Sequence, residues 1–217
     1  VEEDLYTTQG QNDLFYDVIN DLKKYDIDIP IKHIAASAAA MLLPETHYDM
    51  VRCGISIYGL WPSDEVKKAF IFSHNNTDFL KPVLSYKTKI VQTKNVNRNE
   101  KIGYGRTHTV KNNTVIAIIP VGYAEGLSRG LSNPGGCGQV LINGQKCPII
   151  GRVCMNMSIV DITKLKTKNL KLKTDEVILI GRQGDEEITI EDWADKIGTI
   201  NYEVTTKIPK GIKRIYI

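Results

Sequence analysis

No run of this sequence is apolar for long enough to cross a membrane. The longest, Ile31 to Leu43, is broken by Lys32, His33 and Ser37 and falls short of the ~20 residues a spanning helix needs. No segment joins a basic start, an apolar middle and a small-residue cleavage site, so no secretory signal is read. Cysteine is scarce. Its four positions, Cys53, Cys137, Cys147 and Cys154, form no Cys-x-x-Cys pair, and no histidine lies at zinc-site spacing from them. No metal site is expected, and the thiols read as a reduced, cytoplasmic set. An excess of one charge is also missing, with 28 Lys+Arg against 25 Asp+Glu and a net charge of +3. The lysines of Lys164-Leu-Lys166-Thr-Lys168 and Lys171-Leu-Lys173 read as a solvated loop rather than a nucleic-acid surface. Repeats and low-complexity segments are absent.

What is present is the composition of a folded protein, with 42% hydrophobic residues over 217 positions. That length allows one large domain or two small ones. It is tight for a complete eight-fold β/α barrel, which takes about 250 residues, and it excludes such a barrel with a second domain. Val1 stands where an initiating Met is usual, so the chain is read as a processed product or a piece of a longer one.

The first stretch, 1–74, reads as alternating helix and strand, which suggests a parallel sheet with crossover helices. Leu14, Phe15, Val18, Ile19 and Leu22 recur at helical spacing, opposite Asp13, Asn20, Asp21 and Lys23, and the helix is expected to end near Tyr25. Pro30 closes a turn. Ile31 to Ser37 is expected as a buried strand, followed by a small-residue helical turn through Met41. A second strand is expected from Tyr48 to Arg52, continuing as Ile55 to Tyr58. A polar stretch, Ser73 to Asp78, is the expected boundary. Strands dominate 75–217: Val83 to Val91, Thr114 to Val121, Gly138 to Ile142, Cys147 to Val153, Met157 to Ile162 and Glu176 to Ile180. Asn143-Gly144 predicts a two-residue hairpin, since both positions tolerate positive φ. One late helix is expected from Thr189, capped with the help of Asp192.

Three places hold polar groups that folding alone does not require. Ser37 follows His33-Ile-Ala-Ala, at the end of the expected strand where α/β sheets bind ligands. Its hydroxyl either caps the next helix or donates to a phosphate. Arg52 lies in an apolar strand, which calls for a fixed acceptor, either a buried ion pair or a ligand. Gly54 beside it lets backbone approach a ligand and offers an N–H to an anion. Tyrosines flanked by glycine, Tyr104 and Tyr123, are either hairpin aromatics or phenols aimed into a cleft. Phenol has a pKa of about 10 in water, and a neighbouring cation would favour phenolate and make it usable as a base.

Taken together, the motifs resemble alanine racemase. His33-Ile-Ala-Ala-Ser37-Ala is similar to that family's His-x-Ala-Asn-Ser-Ala, and Val51-Arg52-Cys-Gly54-Ile55-Ser-Ile-Tyr58-Gly59 to its Val-Arg-Pro-Gly-Ile-x-x-Tyr-Gly. Gly103-Tyr104-Gly105-Arg106-Thr107, Pro120-Val-Gly-Tyr123-Ala-Glu-Gly126, Gly151-Arg-Val-Cys-Met155 and Thr199-Ile-Asn-Tyr202-Glu203 follow in the family's order. The resemblance implies an α/β then all-β chain. Residues 1–74 would be the last strands of a truncated (β/α)8 barrel on the cofactor-phosphate side. Residues 75–217 would be an all-β, barrel-like C-terminal domain with a late helix returning towards the barrel.

The implied cofactor is pyridoxal 5'-phosphate. Ser37, the backbone of Gly54 and Ile55, and Tyr202 would hold its phosphate, and Arg52 would face its ring nitrogen. Tyr104 would be the catalytic base, serving the partner's site in a homodimer. Tyr123, Met155, Asn156 and Asn201 would line the substrate pocket. The family's cofactor-bearing lysine lies in a Lys-Ala-x-Ala-Tyr-Gly stretch that this sequence does not contain, so the chain alone is expected to be inactive. The family's histidine behind the catalytic tyrosine is expected on a strand before Val1. Ala36 stands where the family has Asn, Cys53 where it has Pro, Glu125 where it has Asp, and Asn156 where it commonly has Asp. The amides of Asn156 and Asn201 suit a hydroxylated substrate, since a site that bonds a hydroxyl discriminates strongly. That keeps two substrates open: alanine, for cell-wall precursors, and serine, as in the membrane-joined racemases of vancomycin resistance, where this would be the cytoplasmic domain. The alternative from another class is a stand-alone β-domain that binds nucleic acid or protein.

Overall fold

The computed structural model describes residues 5–77, 79–132, 138–165 and 176–217. Cys137 and the lysines from 166 to 173 lie outside the described residues. The chain divides into two compact units, Val1–Val83 and Leu84–Ile217, so the first unit continues past the polar stretch at 73–78.

Helix α1 (Leu5–Lys24) opens the first unit. Its covered stripe is Asn12, Phe15, Ile19 and Leu22, at helical spacing. Asn12 accepts a 2.9 Å bond from the Tyr48 hydroxyl, and Phe15 meets the Tyr48 ring edge-on at 5.2 Å. Leu14 and Val18, expected on the buried face, are 65% and 48% exposed. The contact with Tyr48 turns the helix so that these two face outward.

The strand expected over Ile31 to Ser37 does not form a ladder. One parallel bridge joins Ala36 to Arg52, supported by Arg52 N–H to Ala35 O at 2.9 Å and Asp49 N–H to Lys32 O at 3.1 Å. The Lys32 N–H is taken by the Asp49 carboxylate instead, which interrupts the even bond spacing of a parallel pair. Helix α2 (Ser37–Leu42) follows as expected, then a 3-10 turn at Pro44–Thr46. The expected strand Ile55 to Tyr58 is a 3-10 helix. Gly54, at φ −109° and ψ −97°, bends the chain off an extended path. The turn ends at Gly59, where a Cβ would come within 1.7 Å of the Lys81 carbonyl. Helix α3 (Asp64–His74) starts under a Ser63 cap that accepts from the Val66 N–H. It buries Val66 and Phe70, with Phe70 against Trp61, His74 and Phe79.

The second unit is antiparallel sheet with two closing helices. Its strands are β1 (Tyr86–Lys89), β2 (Gln92–Val96), β3 (Lys101–Ile102), β4 (His108–Thr109), β5 (Thr114–Ile119), β6 (Gln139–Ile142), β7 (Gln145–Pro148), β8 (Ser158–Asp161), β9 (Glu176–Gln183) and β10 (Glu186–Ile188). Among the described residues they form one sheet in the order β1-β9-β6-β7 with β10 on β9, a second in the order β2-β5-β8, and a β3-β4 pair. Val83 to Val91, expected as one strand, breaks after β1. The chain leaves β9 and re-pairs with β5 across the fully buried Ile90. The hairpin at Asn143-Gly144 forms as expected, with φ of 51° and 71° and Ile142 opposite Gln145. Val140, Leu141 and Ile142 face Val177, Ile178 and Leu179 in the core, all fully buried, which is why both strands read as unbroken apolar runs. A second cluster, Val96, Val110, Ile116 and Ile150, lies under the β2-β5-β8 sheet.

Helix α4 (Ile190–Ile197) has the expected cap. Thr189 accepts from the Asp192 N–H at 3.0 Å, and the Asp192 carboxylate takes the Thr189 N–H at 2.8 Å. It stops at Gly198, φ 68°. The single late helix expected is therefore two, because α5 (Asn201–Thr206) starts after that turn.

Candidate active site

The first unit gathers His33, Ser37, Arg52, Gly54, Ile55 and Ser56. Ser37 is 5% exposed. It is the first residue of α2, and its side chain caps nothing. Its Oγ instead accepts the Gly54 N–H at 2.8 Å and the Ser56 hydroxyl at 3.1 Å. With both acceptor positions used, the hydroxyl hydrogen of Ser37 is left to donate. The Ile55 N–H, at the head of its 3-10 turn, has no acceptor among the described residues. A Cβ on Gly54 would meet nothing nearer than Ser37 Oγ, at 3.9 Å. The result is a serine hydroxyl and an Ile55 N–H left to donate, with open space at Gly54.

Arg52 is exposed and has no carboxylate partner among the described residues, so the ion-pair reading fails. Its Nη1 donates to His33 Nδ1 at 2.5 Å and to His33 O at 3.2 Å, and its Nη2 donates to Ile34 O at 3.2 Å. A guanidinium only donates, so Nδ1 is the acceptor and the ring proton of a neutral His33 sits on Nε2. The guanidinium is held in plane with its Nε–H and one Nη2 hydrogen still unspent. His33 is the partner of Arg52 that composition and spacing passed over. Its signal was present: an arginine in an apolar segment requires a nearby fixed acceptor, and the motif ending in Ser37 begins with one.

In the second unit, one short segment, Gly151 to Asn156, carries both tyrosine turns. Tyr104 sits on a 3-10 turn between Gly103 (φ 80°) and Gly105 (φ 72°) and is 74% exposed. A Cβ on Gly103 would lie 3.4 Å from the Gly151 Cα and the Arg152 N, so this turn rests directly on that backbone. Tyr123 sits on the turn Tyr123–Glu125, whose N–H groups at Tyr123 and Ala124 donate to Cys154 O and Met155 O at 3.0 and 2.9 Å. At Gly122 the approach is closer still, because a Cβ would fall 2.1 Å from the Cys154 carbonyl. Glu125 closes the turn, taking the Gly122 N–H at 2.9 Å and the Asn156 amide at 2.8 Å. The Met155 N–H keeps no acceptor among the described residues. Beneath the turn, Tyr86 donates to the Glu125 carbonyl at 2.6 Å, and burial pushes its phenol up to about 12. Ser158, fully buried, donates to the Val121 carbonyl at 2.8 Å.

Asn201 is buried on α5 and donates its amide to Glu191 on α4 at 3.0 Å. Tyr202, next to it, is half-buried. The structure thus places Ser37, Arg52, Gly54 and Ile55 together, and separately Tyr104, Tyr123, Met155 and Asn156 along one segment. Asn201 and Tyr202 stand on α5. Among the described residues no three of His, Cys, Asp and Glu group as a metal site, and no helix is long and apolar enough to cross a membrane.

The class that the fold defines is an α/β unit followed by a β unit, the first holding a buried serine beside a fixed arginine and the second carrying tyrosine turns. Comparison with known proteins gives the family. The model for the alanine racemase C-terminal domain matches residues 83–216, and that for the N-terminal domain matches residues 1–62. The chain belongs to the alanine racemase family, whose members depend on pyridoxal phosphate. It is 42% identical over 212 residues to the alanine racemase of Methanococcus maripaludis, covering 98% of this chain and 53% of that protein. It is 41% identical over 216 residues to that of Clostridium tetani, covering 100% of this chain and 53% of the relative. Among solved structures, the Bacillus anthracis alanine racemase with bound L-Ala-P superposes with a TM-score of 0.83 at 34% identity, over 96% of this chain and 50% of that one. The chain spans about half the length of the curated relatives it matches.

Proposed function

We propose that the protein containing this chain is a pyridoxal-phosphate-dependent alanine racemase, with Tyr104 one of two bases working on opposite faces of the substrate Cα. The observation that carries this reading is Ser37, a buried hydroxyl that accepts twice and keeps its own hydrogen for an acceptor outside the chain. The donor set fits a phosphate: the Ser37 hydroxyl and the Ile55 N–H both lack an acceptor among the described residues, and there is room beside Gly54.

When bound, pyridoxal phosphate supplies an electron sink that acidifies the Cα–H of an attached amino acid. This chain's residues do the rest of their share locally. Ser37 and Ile55 anchor the phosphate, while Gly54, whose own N–H is spent on Ser37 and not on the ligand as expected, leaves room beside them. Arg52, pinned by His33 and two carbonyls, aims a donor at the ring nitrogen and cannot supply it with a proton. An arginine in that place would leave the ring nitrogen unprotonated and so restrain side reactions. Tyr104 moves the proton at Cα, while Tyr123 and the Met155 N–H hold the substrate carboxylate. The high exposure of the Tyr104 ring supports its serving a second copy of the chain in a homodimer.

Alanine is the substrate favoured over serine. The relatives at 41–42% identity are alanine racemases, which supports this choice; Asn156 and Asn201 each give one amide hydrogen within the chain, to Glu125 and Glu191. The 217 residues alone are expected not to racemise, since no Lys-Ala-x-Ala-Tyr-Gly stretch occurs in them. The test is conversion of L-alanine and of L-serine by the full-length, cofactor-loaded enzyme, read as D-enantiomer formed. No racemisation of either would overturn the proposal, and faster turnover of serine would reverse the substrate assignment.

A further inference from the structure

Ser56 lies within the Ile55–Tyr58 turn, and its hydroxyl points at Ser37 Oγ, 3.1 Å away. Ser37 Oγ also receives the Gly54 N–H at 2.8 Å. An oxygen receiving two hydrogen bonds has its lone pairs committed, which confines its own O–H to the remaining tetrahedral direction. With the Gly54 bond alone, the Ser37 hydrogen could rotate among positions, one of them towards Ser56. With Ser56 donating, that rotation is blocked.

We propose that Ser56 is a positioning residue for the cofactor phosphate, acting through Ser37. It holds the Ser37 hydroxyl with its hydrogen facing out of the chain, and so prepares a donor for a dianionic oxygen before the ligand arrives. Donation by Ser56 also polarises Ser37 and strengthens the bond it gives to an anion. This rests on the reading that Ser37 meets the phosphate. Ser37 is 5% exposed, so its hydroxyl is largely screened from water and the bond from Ser56 weighs more.

The test uses the full-length enzyme stripped of cofactor and titrated with two probes, pyridoxal phosphate and phosphate-free pyridoxal, each followed by its absorbance on binding. S56A should raise the Kd for pyridoxal phosphate about three- to tenfold, the effect of losing one ordinary hydrogen bond in a buried pair, and leave the Kd for pyridoxal within about twofold. S56T, which keeps the hydroxyl, should restore pyridoxal phosphate binding. Equal loss for both probes would mean that Ser56 merely supports the turn, and no loss for pyridoxal phosphate would mean that Ser37 needs no help; either overturns the proposal. Failure of the unmodified enzyme to distinguish the two probes would instead sink the phosphate assignment of Ser37.

Discussion

Tyr104 and Tyr86 show how differently one residue type is used within one unit. Tyr104 is exposed on its turn and free to reach a reacting atom, so Y104F in the full-length enzyme should keep the cofactor and lose about 10²–10⁴-fold in racemisation rate. Steady-state rates with each enantiomer, alongside the cofactor absorbance, check it, and unchanged rates would remove Tyr104 from the mechanism. Tyr86 is 5% exposed, and burial raises its phenol from 10.0 to about 12. The native state therefore holds a proton that the unfolded chain gives up. This contribution is complete below pH 10 and is lost as pH rises towards 12, on the order of 2 kcal/mol in all. Denaturant melts at pH 9 and 11 should show a steeper loss for the native chain than for Y86F. At this scale the sequence reading named Ser37 and Arg52 but left their roles divided. The choice between cap and phosphate donor depended on where the Ser37 Oγ points, and that depends on Gly54 and Ser56, distant along the chain.

Among the elements, the Gly122–Gly126 turn carries Tyr123, the residue we propose to hold the substrate. Glu125 holds the turn with one part-buried bond to the Gly122 N–H and one exposed bond to Asn156. E125A should loosen the turn by about 1–3 kcal/mol, the cost of losing a charged acceptor for a backbone donor. N156A should cost at most about 1 kcal/mol, because its bond is solvent-screened. Hydrogen exchange at the Gly122 and Tyr123 amides measures both, and in the double variant the second change should add little, since the two act through one carboxylate. Equal exchange in E125A and the parent would show that the turn stands without the clamp. Other elements divide by how local their cause is. The Asn143-Gly144 hairpin and the Thr189 cap were legible because their geometry is written in adjacent residues. Gly184-Asp185 carried the same kind of hairpin signal, and β9 and β10 do pair across it. The Ile55–Tyr58 turn misled because Ile55 and Ile57 alternate like a strand, while the bend at Gly54 and the packing of Lys81 on Gly59 are tertiary.

At the scale of the whole molecule, stability is concentrated where β6 meets β9. L141A should cost about 2–5 kcal/mol, since Leu141 is fully buried among apolar strands with little room to relax. Chemical denaturation of the parent and variant measures this, and a loss under 1 kcal/mol would place the main core elsewhere. The motif order along the chain was enough by itself to determine the family, the two-part architecture and the family's cofactor, because each rests on local backbone needs or on residue types that chemistry rarely substitutes. Only the tertiary structure decided how those residues work. It turned Ser37 from a cap into a donor and paired Arg52 with His33. It gave one hydrogen of each asparagine amide to a glutamate and rested the two tyrosine turns on the single segment Gly151 to Asn156. The reason is physical: a hydrogen bond is settled by the direction of its last few ångströms, and that direction comes from neighbours that sequence spacing does not reveal.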